Sequence, residues 1–113
     1  MNCCWGCDME SVLVDKEYQK YCAFCGRPCE TEHHLVFGRG LRKLSEEDGL
    51  KLTVCYSCHV SGHNGERVHN SPMAEKLSKM LGQMAYEKER ALEGMGREAA
   101  RESFRRRYGR SYL

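Results

Sequence analysis

Six of the eight cysteines in this 113-residue chain fall in three Cys-x-x-Cys pairs, Cys4/Cys7, Cys22/Cys25 and Cys55/Cys58. That repeated interval constrains the fold more than any other feature. Two thiolates two residues apart chelate one ion from a tight knuckle, whereas a disulfide framework has no reason to repeat the spacing. A single domain of this length buries a modest core, so an ion that clamps distant stretches of chain adds folding energy the core lacks. All five histidines lie between positions 33 and 69, beside or between the last two pairs. Metal ligation, not disulfide pairing, is the expected organising principle.

Cys22-Ala-Phe-Cys25 and Cys55-Tyr-Ser-Cys58 together supply four thiolates, enough to close a tetrahedral zinc site with no open position. Such a site is structural. A second partition, Cys4/Cys7 with Cys22/Cys25, also has zinc-ribbon spacing and would leave Cys55/Cys58 to other partners. Cys3 and Cys29 fall outside both schemes and read as free thiols.

The histidines need a different account. Glu30 to Phe37 (ETEHHLVF) reads as a strand stopped by Gly38-Arg39-Gly40, and Leu50 to Val54 alternates apolar with polar like a half-buried strand. Together they suggest a hairpin with a long connection. Adjacent residues on a strand point to opposite faces, so His33 and His34 should have separate roles. His59 directly follows the last zinc cysteine, and His63 and His69 come after it. A strand presenting His33 opposite a turn presenting His59 makes an open, water-completed ion site of the catalytic kind.

From Met73 onward, Met73, Leu77, Met80, Leu81, Met84, Ala91, Leu92 and Met95 recur mostly at intervals of three and four, one face of a helix expected to pack into the core. Ser71-Pro72 supplies a cap and a first-turn proline. Gly94-Met95-Gly96 should interrupt the helix, with a second one from Arg97 to about Tyr108. Residues 1–72 carry eight Lys/Arg against ten Asp/Glu, and residues 73–113 ten against six, so positive charge gathers in the second part. No apolar run approaches the ~18 residues of a membrane span. The first residues resemble no secretory leader, which makes a reducing cytosol the simplest compartment.

The Cys-x-x-Cys knuckle, Glu32-His33-His34, the run Gly49-Leu50 leading to Cys55-x-x-Cys58-His59, and a further histidine resemble the HNH (ββα-metal, treble-clef) endonuclease family. The stretch from His34 to Leu50 and the tail Arg107 to Leu113 are similar to small HNH proteins encoded by bacteriophages and prophages. The resemblance implies an α+β fold: a small zinc-stabilised treble-clef/ββα-metal core, an antiparallel hairpin plus helix, with a C-terminal helical extension. Residues 1–113 would form one domain, with 1–19 an N-terminal extension, 20–72 the core and 73–113 a basic helical extension.

The resemblance also assigns roles. His34 matches the general base that deprotonates a water for attack on a phosphodiester in DNA, cut on one strand or both. His33 matches the first metal ligand and His59 the ligand opening the family's helix. The last ligand is His69 or His63. Gly62 and Asn64-Gly65 would break a helix carrying His59 and His63 together, which favours His69. The implied cofactors are a structural Zn2+ and one catalytic divalent cation, Mn2+, Ni2+, Zn2+ or Mg2+. An imidazole shell suits the softer ions better than magnesium. Histidine's ordinary pKa near 6.5 suits it to proton transfer around neutrality. The family's middle Asn would fall near Gly49-Leu50, where none is present, leaving Asp48 or a backbone carbonyl to stand in.

A nuclease must hold a polyanion. Arg39, Arg42 and Lys43 follow the histidine strand, and Arg105, Arg106 and Arg107 head a C-terminal basic stretch with Arg97, Arg101 and Arg110, all candidate phosphate contacts. The other reading of that stretch is a solvated helix paired with Glu98 and Glu102. Phosphate contacts carry no sequence information, so the expected partner is DNA bound largely regardless of sequence. A second copy of the chain or other phage DNA-processing proteins are further candidate partners, a membrane is not, and the place of action is the bacterial host cytoplasm. The alternative function is a zinc-stabilised nucleic-acid-binding or adaptor module without catalysis.

Overall fold

The computed structural model describes residues 10–61 and 68–113. Two short strands, β1 (Thr31–His34) and β2 (Lys51–Val54), pair antiparallel with Thr31 opposite Val54 and His34 opposite Lys51. The expected hairpin is therefore present, with β1 ending three residues short of Phe37. Its long connection contains a helix the sequence reading did not anticipate, α1 (Leu41–Glu47). Gly40 opens α1 with φ of 77°, a left-handed conformation that glycine adopts without strain. Ser45 pins the connection: its hydroxyl donates to Leu50 O at 2.8 Å and accepts from Val36 N at 3.3 Å.

β2 departs from a half-buried strand, for all four of its residues are buried. Its polar side chains are covered because each finds a partner outside the strand. Thr53 Oγ1 donates to Tyr21 O at 2.7 Å, and Lys51 reaches Glu46 at 2.8 Å. Glu10 to Val14 runs alongside, with Val12 N bonded to Gly49 O and Ser11 Oγ to Lys51 O.

Two helices follow, α2 (Pro72–Leu92) and α3 (Arg97–Tyr108), separated at Gly94–Gly96 as expected. Ser71 caps α2, its side chain accepting from Ala74 N at 3.3 Å. The apolar stripe does not face the core, however. Met73 is 57 % exposed, Leu77 51 %, Met84 56 % and Leu92 72 %, while the buried face holds Ser78, Gly82, Gln83, Ala85 and Tyr86. Close approach explains the reversal. A Cβ on Gly82 would lie 2.7 Å from Val36 Cγ2 and 3.0 Å from Leu35 Cβ, so α2 lays backbone, not long side chains, against the exit of β1.

The core gathers Leu35, Val36, Leu50, Leu52 and Val54 from the hairpin region with Tyr86, Phe104 and Tyr108 from the helices. Phe104 and Tyr108 stack at 4.4 Å between ring centres. Buried Gln83 ties down the tail, accepting from Tyr112 N at 2.6 Å and donating to Ser111 Oγ at 3.0 Å. No helix among the described residues is long and apolar enough to cross a membrane.

Candidate metal centre and cleft

The first knuckle is a tight turn in which Cys22 N bonds to Arg27 O and Gly26 N to Cys22 O. Cys55 follows β2 directly, and Cys58 sits in the helical turn Ser57–Ser61. These two places meet, so Cys22, Cys25, Cys55 and Cys58 offer sulfurs all within 4.8 Å of one another. The Cys25–Cys55 separation of 3.6 Å is far beyond an S–S bond of about 2.05 Å. It is close to the ~3.8 Å edge of a tetrahedron of thiolates at about 2.3 Å from zinc. The four cysteines are therefore placed to hold a structural metal such as zinc. Cys4 and Cys7, which the competing partition needs, lie with Cys3 outside the described residues. Cys29 is buried apart from the cage, near Thr31 O at 3.5 Å.

Charge within the cage is unevenly supported. The Arg27 backbone N–H and guanidinium pull the Cys25 thiol down to about 6. Burial pushes Cys55 and Cys58 up. A dication reverses that balance, because a coordinating thiol loses its proton.

The histidines divide as adjacency on a strand requires. His33 points inward and is fully buried, and there it meets His59 from the turn after the cage and His69 from the single helical turn Val68–Asn70. The ring centres form a near-equilateral triangle, 5.0 Å from His33 to His59, 5.1 Å from His33 to His69 and 4.9 Å from His59 to His69. Three imidazoles tetrahedrally arranged at about 2.0–2.1 Å from one ion would place ring centres about 5 Å apart. Burial above all, then His59 and His69, depresses His33 to about 3; burial, then His69, depresses His59 to about 4. Both rings are thus neutral at physiological pH, as metal ligation requires. His33 Nδ1 is buried with no hydrogen-bond partner, an orphan costly to leave unmet and suited to an ion. The donors present fit a divalent transition metal. His63, the other candidate for the last ligand, lies outside the described residues.

His34 emerges on the opposite side of β1, yet its side chain lines the same cleft as His59 and His69. The cleft has a volume of about 370 Å³ and is also walled by Glu32, Phe37, Gly38 and Arg42. His34 Nε2 lies 2.7 Å from Glu46 Oε1. Lys51, itself buried, holds Glu46 Oε2 at 2.8 Å and keeps that carboxyl below its ordinary range. The carboxylate accepts, so Nε2 carries the proton and Nδ1 keeps a lone pair. Glu32, His34 and Glu46 form a third group of metal-type ligands. The Lys51 ammonium, 3.5 Å from Glu32 and 2.8 Å from Glu46, already supplies a cation there.

Arg39, Arg42 and Lys43 are all exposed; Arg42 and Lys43 belong to α1, and Arg42 stands on the cleft wall. Four of the C-terminal arginines pair with carboxylates of their own chain. Arg105 and Arg106 pair with Glu102, Arg101 with Glu87, and Arg107 with Glu47 and Asp48. Asp48 also accepts from Tyr108 OH at 2.6 Å, so it braces the end of α1 against α3, and the carboxylate beside His34 is Glu46. A larger depression between α1 and α3, about 720 Å³ and lined by Leu44, Tyr86, Met95 and Arg106 among others, contains no imidazole or thiol. Sequence reasoning missed Glu46, Lys51, Glu75 and Ser78. None of the four stands out by spacing, and Ser78 lies on the face of α2 opposite the apolar stripe.

No family model matches the chain, and no curated protein or solved structure matches it either.

Proposed function

We propose that this protein is a metal-dependent endonuclease of the HNH type that hydrolyses phosphodiester bonds in DNA, with the knuckle, hairpin and following turn acting as a treble-clef, ββα-metal core. The observation that carries the proposal is one cleft in which two members of an imidazole triad meet a separate histidine backed by a carboxylate. His33, His59 and His69 would hold the ion. Bound there, a divalent cation supplies Lewis-acid stabilisation of phosphate oxygen and leaving alkoxide.

The chain's own residues supply the rest. His34 Nδ1 takes a proton from a water in line with the scissile P–O bond, and Glu46 holds the ring in the tautomer that leaves that nitrogen free. The imidazolium formed is stabilised by the same carboxylate, which Lys51 keeps ionised. Arg42 on the cleft wall neutralises non-bridging oxygens, and Arg39 and Lys43 meet flanking phosphates. Glu46 thus takes the bracing part that the missing Asn plays in the family. Contacts of this kind read no bases, so cleavage is largely sequence-independent, in the cytoplasm of a bacterial host. A role in phage recombination, replication or packaging fits the similarity of the tail.

Plasmid cleavage tests it. Protein stripped of loosely held metal and given Mn2+, Ni2+, Zn2+ or Mg2+ should nick supercoiled DNA, and His34→Ala should abolish nicking while leaving DNA binding intact. If wild type binds DNA as His34→Ala does and neither cuts with any of these ions, the protein is a binding module.

A further inference from the structure

Ser78 belongs to α2, outside the hairpin and outside every motif that suggested an ion site, yet its hydroxyl touches the innermost imidazole. A serine hydroxyl has one proton. Here it donates to Leu35 O at 2.8 Å. Toward His33 Nε2, also 2.8 Å away, the same oxygen must therefore accept, so Nε2 bears the imidazole's proton. The reverse assignment would leave Leu35 O and Ser78 Oγ facing each other in a buried site with no proton between them. The nitrogen left with a lone pair is Nδ1, the buried atom without a partner. His69 is arranged the other way round. Its Nδ1 lies 3.1 Å from Glu75 Oε2, which can only accept, so its free lone pair is on Nε2.

Glu75, Ser78 and Gly82 are spaced by three and four and share one face of α2. Gly82 brings that face against Leu35 and Val36. This explains why the helix turns its methionines and leucines outward, for its inward face is occupied by the histidines' partners. We propose that α2 provides the outer shell of the three-imidazole centre, Ser78 committing His33 to ligation through Nδ1 and Glu75 committing His69 to ligation through Nε2. The proposal rests on the ion-binding part of the functional reading above. Both are positioning residues. Partners of this kind fix tautomer and orientation, and their loss typically weakens metal binding 10- to 100-fold.

Two measurements test it on the full-length protein with zinc in its cysteine cage. In the first, Co2+ is titrated into the imidazole centre and followed by its visible absorption. Ser78→Ala should bind Co2+ about 10- to 100-fold more weakly, Ser78→Thr should recover most of the affinity, and the zinc content of the cage should not change. In the second, 15N-histidine-labelled protein is loaded with 113Cd2+, and cadmium coupling should appear at Nδ1 of His33 and Nε2 of His69. Coupling to His33 Nε2, or Co2+ affinity for Ser78→Ala equal to wild type, overturns the proposal and leaves the ion site standing. Wild type that takes up no second ion overturns both.

Discussion

Gly82→Ala is the substitution whose effect the packing fixes most tightly. The added methyl would sit 2.7 Å from Val36 Cγ2 and 3.0 Å from Leu35 Cβ. Apolar carbons prefer about 3.5–4.0 Å, so α2 and the exit of β1 must separate by roughly 1 Å. Leu35 and Val36 are both fully buried and have nowhere to retreat. Overpacking of this kind costs about 1–3 kcal/mol, and alanine's better helix propensity offsets about 1 kcal/mol. The net expectation is a loss of about 1 kcal/mol, or a Tm lower by ~4 °C. Ser78 lies one helical turn away, and its two 2.8 Å hydrogen bonds would not survive a displacement of that size. Ion affinity at the imidazole centre should therefore fall while zinc affinity at the cysteine cage holds, a separation that general destabilisation does not produce. Differential scanning calorimetry and Co2+ titration read the two effects. A Tm at or above that of wild type with unchanged Co2+ affinity would refute the close-approach reasoning.

Three other outcomes are expected. Cys25→Ser should lose tightly bound zinc and cooperative thermal unfolding together, since structural zinc binding is worth roughly 10 kcal/mol or more of folding energy; full zinc retention by atomic absorption would contradict the four-sulfur cage. With the imidazole centre free of metal, His33 and His59 titrate far below the ordinary 6.5. The unfolded chain then binds protons first, so stability is complete above about pH 6.5 and declines as pH falls toward 4; the urea midpoint at pH 5 should lie below that at pH 7, and equal midpoints would count against burial of these rings. Gly96 opens α3 without a side-chain cap and with open space around it, so Gly96→Ser should raise the Tm slightly, by a few tenths of a kcal/mol of stability. A lower Tm would mean that the α2–α3 junction is not placed as described.

Features set by neighbours in sequence were legible before any coordinates. The knuckle spacing, the Ser71-Pro72 start of α2 and the break at Gly94–Gly96 depend on local chemistry, and the structure has them. The division between His33 and His34 followed from strand alternation alone. What escaped depends on distant segments. α1 has only Leu41 and Leu44 as its apolar pair, too short a pattern to stand out from a loop. Lys51 and Thr53 look solvent-facing in sequence, because their partners Glu32 and Tyr21 are brought to them only by folding. The stripe on α2 misled for the same reason: periodicity shows that a helix has two faces, and Gly82 decided which one docks. Glu46 and Ser78 carry no spacing signal at all, since a residue that orients a histidine is recognisable only where it touches the ring.

The central claim is that the chain holds two ions in different chemistries a few residues apart. An anomalous-scattering map from crystals grown with zinc, collected on both sides of the zinc edge, tests it directly. Two peaks per chain are expected, one among Cys22, Cys25, Cys55 and Cys58 and one bounded by His33, His59 and His69. A single peak at the cysteines, or a second peak on Glu32, His34 and Glu46 in place of the imidazole triad, would contradict it.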